Sequence, residues 1–242
     1  MPDITTQLTV PHRFCGPPTS GNGGYTAGLL AAQILGGDGA EVTLRRPPPL
    51  ERVLTVVGDS GRAELRDGDD VVAEAVTMTV DVDPPPQVGW DDAVAASATS
   101  TFRDASLHPF PTCFACGPDR AEGDGLRLFA GAVDGRAVFA APWIPNEVTR
   151  PIVWAALDCP SSAPAFADPR AEGPFVLGRI AARVDRLPVP GARHVVTSAD
   201  AGRDGRKFFA VSAIRDADGG LCAIARATWI QLRPDGGPAA AT

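Results

Sequence analysis

Two stretches of the chain alternate apolar and polar residues around a tight turn, and they do so in the same way. In GRAELRDGDDVVAEAVTMTVDV the alternation flanks Asp67-Gly68, and Val72, Val76, Met78 and Val80 share one face. In KFFAVSAIRDADGGLCAIARATWIQL it flanks Asp218-Gly219. A period of two broken by an Asp-Gly turn predicts a β-hairpin. Setting RAELRDGD on SAIRDADG brings Val80 opposite Ile230, which makes the pair an internal repeat.

The repeat extends upstream. Each hairpin follows two strand-like runs interrupted by prolines, AEVTLRRPPPLERVLTVVG and GRIAARVDRLPVPGARHVVTSA, in which Pro47 to Pro49 and Pro188 with Pro190 suit a bulge or a bend at a sheet edge. Before these lies one helix-compatible apolar stretch per half. The first is GGYTAGLLAAQILGG, stopped by Gly36-Gly37; the second is RPIVWAALDCPSSAPAF, where Pro151 fits a first helical turn and Pro160 demands an end or a kink. A glycine-rich loop and one or two further strands precede each helix. Strand, helix, then several antiparallel strands, twice over, predicts an α+β protein with one helix laid on a curved sheet in each half. The Pro-rich exit DVDPPPQVGW and a short helix in DDAVAASATSTF, with Asp91 or Asp92 near its start, form the linker. The expected division is 1–83, a linker 84–112, and 113–235, with a frayed tail at 236–242.

Composition narrows the function classes. The chain has 242 residues, 44% of them hydrophobic, and a formal net charge of -7. Lys207 is the only lysine, and no basic cluster exceeds Arg45-Arg46, so nucleic acid and anionic membrane surfaces are excluded as expected partners. MPDITTQLTVPHRF lacks a basic region followed by an apolar run, which places the expected location in the cytoplasm. The five cysteines are too scattered for a disulfide scaffold and are expected to be reduced.

FCGPPTSGNGGYTAGLLAAQI followed by AEVTLRRPPPL resembles the first half of acyl-CoA thioesterase II-type, actinobacterial double-hotdog proteins. CFACGPDRAEGDGLRLFAG followed by VWAALDCPSS resembles the second half, where a Cys-Phe-x-Cys-Gly run precedes a Gly-Leu-Arg strand. The resemblance runs from about Phe14 to Leu232. It implies a double hotdog, two fused units each with a central helix wrapped by antiparallel sheet, together with an acyl-thioester substrate class and a site between the two helices.

In single-hotdog relatives of such proteins a backbone amide at a helix start polarises the thioester carbonyl, and an acid about two turns along the other subunit's helix activates water or attacks directly. Two turns from Gly23 lies Ala31, and two turns before Asp158 lies Arg150, so the first helix has the glycine without the acid and the second has the acid without the glycine. One composite site is therefore expected, from the Asn22, Gly23 and Gly24 amides and the Asp158 carboxylate. The competing reading makes Asp158 a buried capping residue and the glycines a turn that needs positive φ. The resemblance also implies a threonine and a glutamine on neighbouring strands that orient the water. Ala181, Ala182 and Ala227 stand near those places, leaving Thr228 and Gln231 as substitutes. Two functions stay open: an acyl-CoA thioesterase, and a non-catalytic protein binding acyl-CoA or another acyl ligand.

Tyr25 follows the glycines, and Trp154 precedes Asp158 by one turn as a wall for an acyl pocket. Arg45, Arg46 and Arg179 are candidates for the CoA phosphates, with solvated sheet-edge arginines as the plain alternative. Cys113 and Cys116, with His108 upstream, invite a metal reading, but no second CxxC or HxxxH follows, and a tight Cys-Gly turn is the preferred reading. No metal and no cofactor are expected. A hotdog dehydratase would pair a histidine with an acid, and His12 lies before the glycine loop instead of in it. Sheet edges left open predict association into a homodimer or a higher homo-oligomer.

Overall fold

The computed structural model describes residues 4–34, 39–171 and 173–232. The expected helix stop at Gly36-Gly37 and the expected tail at 236–242 lie outside these residues. The first half runs β1 (Ile4–Thr9), α1 (Gly23–Ala31), β2 (Ala40–Leu44), β3 (Val53–Gly58), β4 (Arg62–Asp67) and β5 (Asp70–Thr77). Then come α2 (Trp90–Ala98), β6 (Gly131–Ala132), β7 (Phe139–Trp143), α3 (Arg150–Asp158) and the short α4 (Ala163–Phe166). Four long strands finish the described chain: β8 (Phe175–Val184), β9 (His194–Asp204), β10 (Lys207–Asp216) and β11 (Leu221–Gln231).

All eleven strands join one antiparallel sheet in the order β1-β3-β4-β5-β2-β8-β11-β10-β9-β7-β6. Its middle is the β2·β8 pair, where Val42 faces Ile180. Reading outward from that pair, β2, β5, β4, β3 and β1 on one side answer β8, β11, β10, β9 and β7 on the other. The internal repeat is thus a pseudo-twofold inside one sheet, and the chain has the α+β double-hotdog fold. Alternation places Leu54, Val56, Leu65, Ile180 and Ile214 on the buried face, each at most 1% exposed. Each such side chain contributes roughly 1.5–3 kcal/mol of burial.

Three sequence expectations about the strands are corrected. The prolines do not mark a bulge or a bend at a sheet edge: the runs they separate form strands that lie apart in the sheet, with β4 and β5 between β3 and β2, and β10 and β11 between β9 and β8. The prolines sit in connections that cross the sheet outside its ladders, because they have no N–H to donate. The predicted face Val72, Val76, Met78, Val80 also breaks. Val72 is the extra residue of a bulge, since Leu65 pairs with Ala73 and Arg66 with Val71, and β5 ends at Thr77. The buried residues that follow are Ala73 and Ala75, while the Val72 carbonyl accepts the Arg45 and Arg46 amides. The expected Gly-Leu-Arg strand is an irregular run outside the sheet, with Arg127 at φ 51°, where the Leu126 amide donates to the Phe114 carbonyl and Leu128 to Ala115.

The linking helix α2 begins after Gly89, with Asp91 and Asp92 in its first turn, where the helix dipole favours them. Its Ala93 and Ala96 pack with Val133, Val138, Ala140 and Val195 in a small second core.

Candidate functional site

The two central helices are nine residues each, and their starts and ends correspond. Asn22 caps α1, its side-chain oxygen accepting the Tyr25 amide at 2.8 Å, and Thr149 caps α3 by accepting from the Ile152 amide. The start of α1 is held by the proline connection: the Gly21 amide donates to the Pro48 carbonyl at 2.8 Å, and Ser20 bridges Pro49. Pro160 has no N–H to continue α3, so the helix gives way to a tight turn over Cys159–Ser162. Serines satisfy the carbonyls released there. Ser212 donates to Leu157, Ser161 to Asp158, Ser162 to Cys159 and Ser198 to Pro160, all within 2.6–2.8 Å. The Trp229 indole donates to Ser161 in turn.

The helices cross antiparallel and very close. A Cβ built on Gly24 would lie 2.4 Å from the Asp158 Cβ and 2.6 Å from the Trp154 carbonyl oxygen. One on Gly28 would lie 2.7 Å from the Pro151 Cα and 2.9 Å from the Trp154 Cβ. Gly23 faces the other way, toward Leu44 and Leu177. At the crossing the Gly24 amide donates to the Asp158 carboxylate at 2.8 Å, joining a helix start in one half to a helix end in the other. Asp158 is 1% exposed and its second oxygen, Oδ1, has no hydrogen-bond partner. Burial pushes its pKa up to about 8, against the opposing pull of the Gly24 N–H. Burial in this closed arrangement favours the neutral carboxyl over the carboxylate.

The structure therefore brings Asn22, Gly24, Trp154 and Asp158 together. Trp154 is wedged against α1 at Gly28 and is 4% exposed, so it packs between the helices where an acyl wall was expected. Tyr25 stacks on Phe14 with centroids 3.8 Å apart and meets Phe114 edge-on. Burial pushes its phenol pKa up. The other expected site residues lie elsewhere. On β11, Trp229 faces α3 through Ser161, so Thr228 points to the opposite side of the sheet, where it pairs with Arg179. Arg45, Arg46 and Arg179 are exposed and already paired with Glu74, Asp70 and Glu41. Ala182 and Ala227 are buried, as expected of positions facing the helices.

Space is scarce at the crossing. A cleft of about 40 Å³ opens beside Arg13, Phe114, Trp143, Glu147 and Ile152, and Asp158 does not line it. Its volume suits a few waters, whereas ligand pockets run to roughly 300–1,000 Å³. None of the three histidine rings hydrogen-bonds a carboxylate side chain among the described residues; the His12 backbone amide donates to Glu51. His108 accepts the Phe110 amide, and the His194 ring meets Val189 and Ala192.

Sequence reasoning missed a third sulfur. Cys159, next to Asp158, places its Sγ 3.6 Å from Cys113 Sγ, and the Cys113, Cys116 and Cys159 sulfurs all lie within 4.8 Å of one another. The Cys116 and Cys159 thiols hydrogen-bond to Cys113, which holds Cys113 below the usual thiol range and pushes the other two up. Ligand spacings that are local in sequence do not reveal Cys159, because 42 residues separate it from Cys116.

These features define a double hotdog with a carboxyl-amide pair at its helix crossing. No family model and no curated protein matches the chain. Solved structures of the same fold do. An acyl-CoA thioesterase II, TesB2, from Mycobacterium marinum superimposes with a TM-score of 0.58 at 10% identity, covering 96% of this chain and 94% of that one. A protein of unknown function with a hot dog fold from Alicyclobacillus acidocaldarius gives 0.61 at 11% identity, covering 96% and 94%. The dehydratase domain of a mycocerosic acid synthase-like PKS gives 0.64 at 16% identity, covering 96% and 92%. The likeness establishes the fold; since thioesterases and a dehydratase share it, chemistry has to be argued from the residues.

Proposed function

We propose that the protein is an acyl-thioester hydrolase acting where α1 and α3 cross, with acyl-CoA as the substrate class. The observation that carries this reading is the 2.8 Å contact between the Gly24 amide and the Asp158 carboxylate. An N–H at the positive end of a helix suits the developing oxyanion, and a carboxylate beside it suits activation of water. In the closed form each group occupies the place its reaction partner would take. Turnover requires the thioester to part the pair, setting its carbonyl oxygen on Gly24 and a water on Asp158. Water entry also ends the burial that favours the neutral Asp158 carboxyl, restoring the base. Among the described residues no histidine stands with Asp158 as a dehydratase pair would need, which favours hydrolysis over dehydration.

The second reading, an acyl-ligand-binding protein without turnover, is favoured by one observation: Asp158 is fully buried and the cleft beside the crossing does not reach it. Thiol release from acyl-CoA esters of graded chain length separates the two. Hydrolysis by the parent, with a loss of about 100-fold or more in Asp158→Asn, supports the first. Binding without thiol release from any ester supports the second. Cytoplasmic location and association through the outer strands β1 and β6 belong to the same proposal. No helix among the described residues is long and apolar enough to cross a membrane.

A further inference from the structure

The cluster of Cys113, Cys116 and Cys159 takes no part in the proposed hydrolysis, yet it is built with more care than a chance meeting of thiols requires. The first two sulfurs come from a tight turn over Cys113–Gly117, in which the Gly117 amide donates to the Cys113 carbonyl at 2.8 Å. A Cβ at Gly117 would sit 2.5 Å from the Cys113 backbone and the Pro111 carbonyl, so the turn closes only with glycine. The third sulfur comes from the turn that Pro160 forces at the end of α3. All three residues are at most 6% exposed. Three sulfurs on a tetrahedral zinc ion, at about 2.3 Å each, are about 3.8 Å apart. The Cys113–Cys159 separation of 3.6 Å meets that spacing, and the limit of 4.8 Å for the set lies within a small side-chain adjustment of it.

Asn22 provides the second, independent observation. Its side-chain oxygen is committed to the Tyr25 amide, which fixes the orientation of the group. Nδ2 then faces Cys159 Sγ at 3.5 Å and Cys113 Sγ at 3.8 Å, and it also lies against the Asp158 carboxyl. A buried amide aimed at two sulfurs is placed for acceptors, as metal-bound thiolates are, and outer donors of this kind orient and tune metal ligands. Burial argues against the main alternative, a thiol-disulfide sensor, because exchange needs a sulfur that an outside partner can reach.

We propose that Cys113, Cys116 and Cys159 bind one zinc ion as thiolates, supplying three of its four tetrahedral ligands with the fourth from outside the protein, and that Asn22 donates hydrogen bonds to two of the thiolates. The ion ties the second half's opening turn to the end of α3 and, through Asn22, to the start of α1. It is taken up as the chain folds, since the ligands come from distant segments. Asp158 stays on Gly24 and is not one of the ligands.

The test uses the full chain, with Zn²⁺ itself as the probe. Protein expressed in zinc-supplemented medium and purified without chelator is expected to carry one zinc per chain by elemental analysis. Cys113→Ser and Cys159→Ser are expected to lose it, while Cys15→Ser and Cys222→Ser retain it. Because the cluster is buried, a variant lacking one of its sulfurs could fail to fold, so a second measurement is made on the parent. Parent protein is unfolded with reductant and chelator, freed of both, and refolded with Zn²⁺, uptake being read by competition with a chromophoric chelator and alkylation of the three cysteines followed by peptide mass. Stoichiometric uptake, with these three residues alkylated more slowly in the zinc-loaded than in the zinc-free protein, supports the proposal. It is overturned if the parent takes up no Zn²⁺, if the cysteines are recovered as a disulfide, or if Cys113→Ser and Cys159→Ser fold and still bind as the parent does. None of these readouts depends on thioester hydrolysis, so either reading can fail alone.

Discussion

Replacing Gly28 by Ala sets two physical effects of opposite sign against each other. In the interior of an isolated helix, Ala is more favourable than Gly by about 1 kcal/mol. The new methyl would lie 2.7 Å from the Pro151 Cα, 2.9 Å from the Trp154 Cβ and 3.0 Å from its Cγ. Comfortable carbon contacts are about 3.5–4.0 Å, so α3 must retreat by about 1 Å or Trp154 must leave its place. The nearest obstacle is backbone, which has no rotamer to change. Overpacking of this kind costs about 1–3 kcal/mol, and a gap opened along the helix crossing forfeits further dispersion energy. Gly28→Ala is therefore expected to lower stability by about 1–2 kcal/mol net, against the propensity gain. Urea unfolding followed by tryptophan fluorescence measures it, with Gly61→Ala as a control, since a Cβ there meets nothing closer than 3.6 Å. A rise in the Gly28→Ala midpoint matching the propensity gain would refute the close antiparallel crossing on which the site depends.

The same crossing makes stability depend on pH. The folded pKa of Asp158 is raised to about 8 from 3.8, so its contribution is fully present below about pH 4 and is lost as pH rises through 8. In chelator-treated protein, Asp158→Asn is expected to match the parent near pH 4 and to exceed its stability by several kcal/mol near pH 9, because each tenfold change in proton affinity between the folded and unfolded chain is about 1.4 kcal/mol. Parallel pH curves for the two proteins would contradict this. Ser212→Ala strips the hydroxyl from the buried Leu157 carbonyl and is expected to lower stability by about 1–3 kcal/mol in urea unfolding. Gly24→Ala places a methyl 2.4 Å from the Asp158 Cβ, and both stability and thioester turnover are expected to fall, as midpoint and initial-rate measurements on one preparation would show.

The fold was readable because its signals are local and doubled. Asp67-Gly68 and Asp218-Gly219 mark equivalent hairpins, and Pro151 and Pro160 bracket α3 within a residue or two of its observed ends. Counting two turns along each helix, on the pattern that the resemblance implies, pointed to Asp158 and the glycine loop, and the Gly24 amide and the Asp158 carboxyl meet at the crossing. What was not readable depends on how segments pass one another. Nothing in AEVTLRRPPPLERVLTVVG says that two other strands come between its two runs. Thr228 was placed near the site from its sequence neighbourhood, but alternation along β11 puts Trp229 inward and Thr228 outward. Trp154 was expected to line a pocket, and only the approach of Gly28 turns it into a wedge. Cys159 gave no ligand spacing with Cys113 and Cys116, since the turn at Pro160 and the loop before β6 meet only in the folded chain.

The central claim is that Asp158 and the Gly24 amide form the reacting centre of a thioester hydrolase. It is tested most directly by thiol release from a panel of acyl-CoA esters, measured for the parent and for Asp158→Asn, with ester binding followed in parallel by calorimetry. The predicted result is turnover of at least one ester by the parent, and in the variant a fall of about 100-fold or more with binding kept. An Asp158→Asn protein that binds and hydrolyses the same ester as fast as the parent would contradict it, and would leave the carboxyl a structural partner of Gly24.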